Sequence, residues 1–156
     1  MFIMNELNLP PNPGVEYFFS TVNRIFRLAG FFGKKLVHYE IQKRGLVNWD
    51  FQDEKSCTQW HFILDTDNVS SGRGFLKNAD STIQMKPATF NALLLNKTDF
   101  ITARLTGGIR MVGDPNYVVL VSYFVKNFHK SRQATGLKGF FRRRFADKVL
   151  KKFENN

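Results

Sequence analysis

Two runs of strict alternation constrain this chain more than any other feature. In Val47-Asn48-Trp49-Asp50-Phe51-Gln52, apolar and polar side chains take turns, and Trp60, Phe62 and Leu64 alternate with Gln59, His61 and Ile63. A period of two places all the large rings of a run on one face of a pleated strand. Each run therefore requires a sheet with one apolar face, and that face requires a second layer to cover it. Asp53-Glu54-Lys55-Ser56 lies between the runs with the length and residue types of a hairpin connection. Residues 65–74 read as turn-rich, and residues 74–76 and 82–85 as further short strands.

The remaining apolar pattern is helical. Val15, Phe18, Phe19, Val22, Ile25, Phe26, Ala29 and Phe32 recur at helical spacing, after a leader, residues 1–14, that Pro10, Pro11, Pro13 and Gly14 keep irregular. Tyr17, Leu28 and Phe31 widen this stripe, which packs on a sheet or touches lipid. Residues 34–44 fit either a strand, by the alternation of Val37, Tyr39 and Ile41, or a continuing helix that stops at Gly45. Pro87 opens a helix at its permitted first turn, with Phe90, Leu93 and Leu94 on one face. Thr98-Asp99 starts a second short helix carrying Phe100, Ile101 and Leu105.

At 156 residues the chain has room for one domain with one sizeable core. Its 17 Phe exceed an ordinary core's need. They fit a Phe-rich core, or else a spacious apolar interior or a membrane-facing surface. The single Cys57 excludes an internal disulfide and any multi-cysteine metal site, and fits a reducing compartment. The N-terminus lacks a basic start followed by an apolar run, so no signal peptide is expected, and the most apolar window is broken by Glu16, Asn23, Arg24 and Arg27. The expected location is cytoplasmic, with peripheral membrane contact as a further reading.

Catalytic sites are thin. His38, His61 and His129 have neither a helical partner histidine nor a neighbouring cysteine, and Cys57 has no recognisable base. Asp65 and Asp67 fall in a turn. Neither an enzyme nor a metal or cofactor site is expected.

Gly108 to Gly113 has the G-x-x-x-x-G spacing of a phosphate-binding loop. Such a loop needs Lys and then Ser or Thr after its last glycine. Asp114 and Pro115 stand there, a carboxylate that repels phosphate and a residue with no amide donor. The spacer Ile109-Arg110-Met111-Val112 has strand character, so Gly107-Gly108 releases a helix into a strand and Gly113-Asp114 turns out of it.

Residues 79–114 resemble the signature half of the sterol carrier protein type 2 family: an acidic-x-Thr-apolar strand, a helix entered near a Phe, a short second helix, and an apolar strand ending in Gly-Asp. Asp80, Thr82, Ile83, Met85, Phe90, Phe100, Leu105, Ile109, Met111, Gly113 and Asp114 occupy those positions without a gap. The family's usual second-helix Phe-Phe-x-Gly is Phe100-Ile101-Thr102-Ala103 here, and Pro115 interrupts the start of the following helix. The resemblance implies an α+β fold, a five-stranded sheet with helices over one face and an apolar tunnel between them. It implies non-catalytic binding of a sterol, fatty acyl chain, phospholipid or isoprenoid lipid, or an accessory role in ubiquinone synthesis holding a quinone precursor for separate enzymes. It places Phe90, Leu93, Leu94, Phe100, Ile101, Leu105, Ile109 and Met111 on the tunnel wall, with Met85 and Met111 adapting its shape. The carrier domain then spans residues 15–125.

The net charge of +10 is unevenly placed: from Lys126 onward ten Lys and Arg face two acids, leaving +2 for everything before. In residues 126–156 the apolar residues Leu137, Phe141, Phe145, Val149 and Phe153 recur every fourth position among basic ones. Three readings stand for this partly amphipathic helix. It packs its phenylalanines on the body; it docks on an anionic membrane through Phe141, Arg142, Arg143, Arg144, Phe145 and Lys148; or it binds nucleic acid, for which no base-reading module accompanies it.

Overall fold

The computed structural model describes residues 8–26, 45–65 and 69–155. Helix α1 (Pro13–Thr21) runs on into a π turn (Val22–Phe26). Strands β1 (Gly45–Gln52), β2 (Cys57–Leu64), β3 (Val69–Arg73) and β4 (Ser81–Met85) follow, then helices α2 (Pro87–Leu94) and α3 (Phe100–Leu105), and strand β5 (Ile109–Gly113). A 3-10 turn (Pro115–Val118) leads into α4 (Val119–Gln133), and α5 (Gly136–Glu154) ends the chain. The two readings of residues 34–44, and the helical stripe beyond Phe26, lie outside the described residues.

The strands form one mixed sheet in the order β3-β2-β1-β4-β5. The expected hairpin is β1–β2, antiparallel, with Val47 opposite Phe62 and Trp49 opposite Trp60. Asp53 makes its turn: one carboxylate oxygen accepts from the Lys55 and Ser56 amides, both at 2.8 Å, and from the Ser56 hydroxyl at 3.0 Å. β4 joins β1 in parallel, and β5 closes the other edge against β4.

Three local expectations change. Residues 65–74 were expected as turn, yet Val69–Arg73 is the edge strand on β2, and residues 74–76 are not a strand. Ser70-Ser71-Gly72 has little intrinsic strand preference, so its pairing comes from the free edge of β2. Gly74, at φ +85°, turns the chain away. At the N-terminus, the irregular leader ends sooner than expected: Asn12 caps α1 by accepting from the Val15 amide at 3.1 Å, and Pro13 takes the first helical position. Pro115, expected to interrupt the start of the following helix, instead opens the 3-10 turn that leads into it, with Asp114 accepting from the Asn116 amide at 2.9 Å.

The sheet's two faces differ as the alternation requires. Val47, Trp49, Phe51, Trp60, Phe62, Ile83, Met85 and Ile109 are buried under the helices. The opposite face carries Asn48, Asp50, Gln52, Gln59, His61, Gln84 and Arg110. Four helices supply the covering rings. Phe19 from α1 lies 5.5 Å from Trp49 and 5.3 Å from Phe51, and Phe124 from α4 lies 5.1 Å from Trp49. Phe90 from α2 meets Phe51 at 5.2 Å and Phe18 at 5.1 Å. From α5, Phe145 and Phe153 reach Phe18 and Phe90. The boundary expected at Lys126 falls inside α4, so the basic tail is the end of one helix and the whole of another.

Candidate functional site

The nine side chains expected on a tunnel wall divide into three sets. Met85, Phe90, Leu93, Leu94 and Ile109 are buried, Phe100 and Met111 are half-buried, and Ile101 and Leu105 are exposed, Leu105 by 82%. The division follows from α3. Asp99 caps it, accepting from the Thr102 amide and hydroxyl at 2.8 Å each, and these bonds hold its carboxyl below the usual range. The helix is six residues long and buries only Ala103. Ile101 and Leu105 consequently point outward, beside β5, the last strand of the sheet, where Val112 is also exposed.

Behind that ledge the space at Phe90 is occupied. Its ring touches those of Phe18, Phe19, Phe51 and Phe153 at 5.1 to 6.4 Å. The helix carrying it is pinned to α4 by a 3.2 Å hydrogen bond between His129 Nε2 and the Leu93 carbonyl. Two clefts among the described residues are surface grooves. One of about 800 Å³ runs between residues 10–13, the β1–β2 turn, the start of α2 and Phe153. Another of about 540 Å³ lies on the polar face of the sheet, lined by Asp50, Gln52, Gln84, Lys86 and Arg110 among others. Neither has Phe90, Leu93 or Leu94 in its wall.

Asp50 is the one buried carboxylate of the described core. Burial pushes its pKa up, against hydrogen bonds from Gln52, Gln59 and Gln84 that pull it down. Burial, helped by the Asp50 charge, also pushes the Cys57 thiol up to about 11. A thiol so placed is a poor nucleophile at neutral pH. Among the described residues no three His, Cys, Asp or Glu side chains stand together as a metal site, and no helix is long and apolar enough to cross a membrane.

The six basic-tail residues also separate. Phe145 is buried, 3% exposed, among Phe18, Phe128 and Tyr17. Arg142 and Arg143 are half-buried and bind the α4–α5 corner, through the Ser131 hydroxyl at 3.4 Å and the Ala134 carbonyl at 2.5 Å. Phe141, Arg144 and Lys148 are exposed. The expected set omitted Leu137 and Phe140, which stand out beside Phe141. The available signal was the row spaced by four: at about 40° per step its two ends, Leu137 and Phe153, point away from each other and cannot share one contact.

The architecture is that of an α+β domain whose single sheet is roofed on one face by helices. Residues 30–125 match the model of the SCP-2 sterol transfer family, and the chain belongs to that family. Among solved structures it is similar to palmitated SCP2L2 from Aedes aegypti, at 16% identity over 74% of this chain and 94% of that one, with a TM-score of 0.52. It is also similar to sterol carrier protein 2 from Yarrowia lipolytica, at 14% identity over 72% and 86%, with a TM-score of 0.51. A sec-alkylsulfatase from Pseudomonas sp. matches at 21% identity and a TM-score of 0.47, over 62% of this chain but 14% of its own length. At these identities the likenesses to the two carrier structures are of fold. No curated protein matches the chain.

Proposed function

We propose that this protein is a non-catalytic carrier that binds a hydrophobic lipid at the α3–β5 edge and exchanges it at membrane surfaces, docking through its basic C-terminal segment. The observation that carries the reading is the apolar ledge of a family member: Ile101 and Leu105 are exposed on a helix that buries one residue, beside half-buried Phe100 and Met111. A helix so lightly held can swing away from the sheet, opening Phe100 and Met111 to a hydrocarbon chain while Phe90, Leu93, Leu94 and Ile109 stay as the wall behind. Each methylene so covered contributes about 0.8 kcal/mol, so a long chain needs no charged partner to bind. Sterol, acyl, phospholipid and isoprenoid quinone ligands all meet that condition, and lipid extracted from the purified protein identifies which is carried.

The test is uptake of a fluorescent fatty acid or sterol by delipidated protein. Leu105→Asp and Ile101→Asp, both at exposed positions, should leave the fold intact and weaken uptake about tenfold by placing a charge in the path of the chain. Full uptake by both folded variants would move the site elsewhere. Both positions are chosen because they are exposed; a charge at a fully buried wall residue such as Leu94 would disrupt the core itself.

A further inference from the structure

We infer that the exposed face of α5 forms the membrane-contact element, with Leu137, Phe140 and Phe141 of its first two turns entering the lipid and Arg144, Lys148 and Lys151 of the later turns resting on anionic headgroups. This rests on the carrier reading for its purpose, and names the face and the lipid charge that the reading leaves open.

Three of the exposed large apolar side chains of the described residues fall within residues 137–141: Leu137 at 92%, Phe140 at 45% and Phe141 at 71%. Phe140 and Phe141 meet edge to face at 5.5 Å and shield each other only in part. At 100° per residue, Leu137, Phe140, Phe141, Arg144, Lys148 and Lys151 share one face, opposite the buried Ala146, Val149 and Phe153. The exposed face is therefore apolar at its start and cationic beyond, with Asp147 as its acid. Phe140, Arg144, Lys148 and Lys151 also line one shallow surface cleft.

Charge and shape select the partner. Cations next to a projecting apolar turn suit a surface that is negative outside and hydrocarbon beneath, which an anionic leaflet is. Nucleic acid would reward the cations and stack on the rings, but it gives an exposed leucine nothing. The buried side of the same helix is fixed to α1 and α4 through Phe145, Val149 and Phe153, so the face is presented on a braced element. Arg142 and Arg143, tied to Ser131 and Ala134, belong to that brace.

The experiment is sedimentation of the full chain with phosphatidylcholine vesicles, with and without phosphatidylserine. Binding should require phosphatidylserine and weaken with salt. Phe140→Ser combined with Phe141→Ser, and separately Arg144→Glu combined with Lys151→Glu, should each weaken it at least about tenfold, with melting temperature and fluorescent-lipid uptake unchanged. In Phe140→Trp, brominated lipid should quench the new fluorescence, since Trp49 and Trp60 are buried. Vesicle binding that survives both double variants overturns the assignment. So does a wild-type protein that ignores phosphatidylserine and shifts RNA, or one whose aromatic face proves to mediate self-association. Loss of uptake with intact vesicle binding would instead sink the carrier reading and leave this face standing.

Discussion

Phe141 and Phe145, one helical turn apart on α5, face opposite surroundings: the first ring stands in solvent and the second closes against Phe18 at 5.7 Å and Phe128 at 6.2 Å. A row of residues spaced by four rotates about 40° per step, so a helix cannot keep such a row in one contact. The packed side of α5 starts at Gly139, where a Cβ would collide with the Ala134 backbone, and continues through Phe145 to Phe153. Truncating the two rings should therefore have unequal effects. Phe145→Ala is expected to lose about 3–5 kcal/mol of folding stability and Phe141→Ala less than about 0.5 kcal/mol, measured by equilibrium urea denaturation. Equal losses would mean that α5 packs through a different face.

Gly113 offers a backbone test of the sheet. Its φ is +96°, and a Cβ there would run into the Asp80 carbonyl oxygen and the Ser81 Cα, both main-chain atoms that cannot step aside. The same Asp80 carbonyl accepts the Asp114 amide at 2.9 Å, which aims the chain from β5 into the 3-10 turn. Gly113→Ala should cost about 1–3 kcal/mol and speed amide exchange in β4 and β5 ahead of β1 and β2. An unchanged midpoint in denaturant would refute the close approach.

Much of this is legible in the amino-acid sequence. Alternation around Trp49 and Trp60 fixed the hairpin and its buried face because burial on one side leaves a period-two record. Pro87 and Asp99 marked their helices because capping chemistry is local. β3 left no such record: Val69-Ser70-Ser71-Gly72-Arg73 pairs because β2 offers an edge, a tertiary cause that no local pattern carries. The site was harder for a related reason. Leu94 and Leu105 are the same residue type on adjacent helices, and what separates wall from ledge is that α2 packs on Phe18 and Phe51 through Phe90 while α3 buries only Ala103. Composition cannot register that difference, just as the spacing of the tail phenylalanines could not tell Phe141 from Phe145.

Cys57 yields a chemical prediction. With its thiol pushed up to about 11 by burial and by Asp50, almost none is thiolate at neutral pH. Labelling by a thiol-specific disulfide reagent should be slow in the folded protein and rise at least about a hundredfold in denaturant, where the group is exposed and titrates near its ordinary value. Rapid labelling of native protein would contradict the burial of β2's first residue.

Asp50 contributes to how stability depends on pH. Burial raises its folded-state pKa above the ordinary carboxylate value, while the unfolded chain keeps that ordinary value. Below the ordinary value both states hold the proton and Asp50 exacts no penalty. As pH rises through the raised folded value, the folded protein must ionise a carboxyl that water scarcely reaches, so the stability it contributes is lost and stays lost at neutral pH. Asp50→Asn keeps an oxygen to accept from Gln52 at 2.8 Å while removing the buried charge. The variant should melt above wild type at pH 7, and the difference should shrink steadily as the pH is lowered toward the ordinary carboxylate range. It should also ease the Cys57 thiol downward, though only in part, since burial is the larger cause there. Melting curves that run parallel from acid to neutral pH would mean that folding leaves the Asp50 carboxyl at its ordinary value, and would refute the burial penalty.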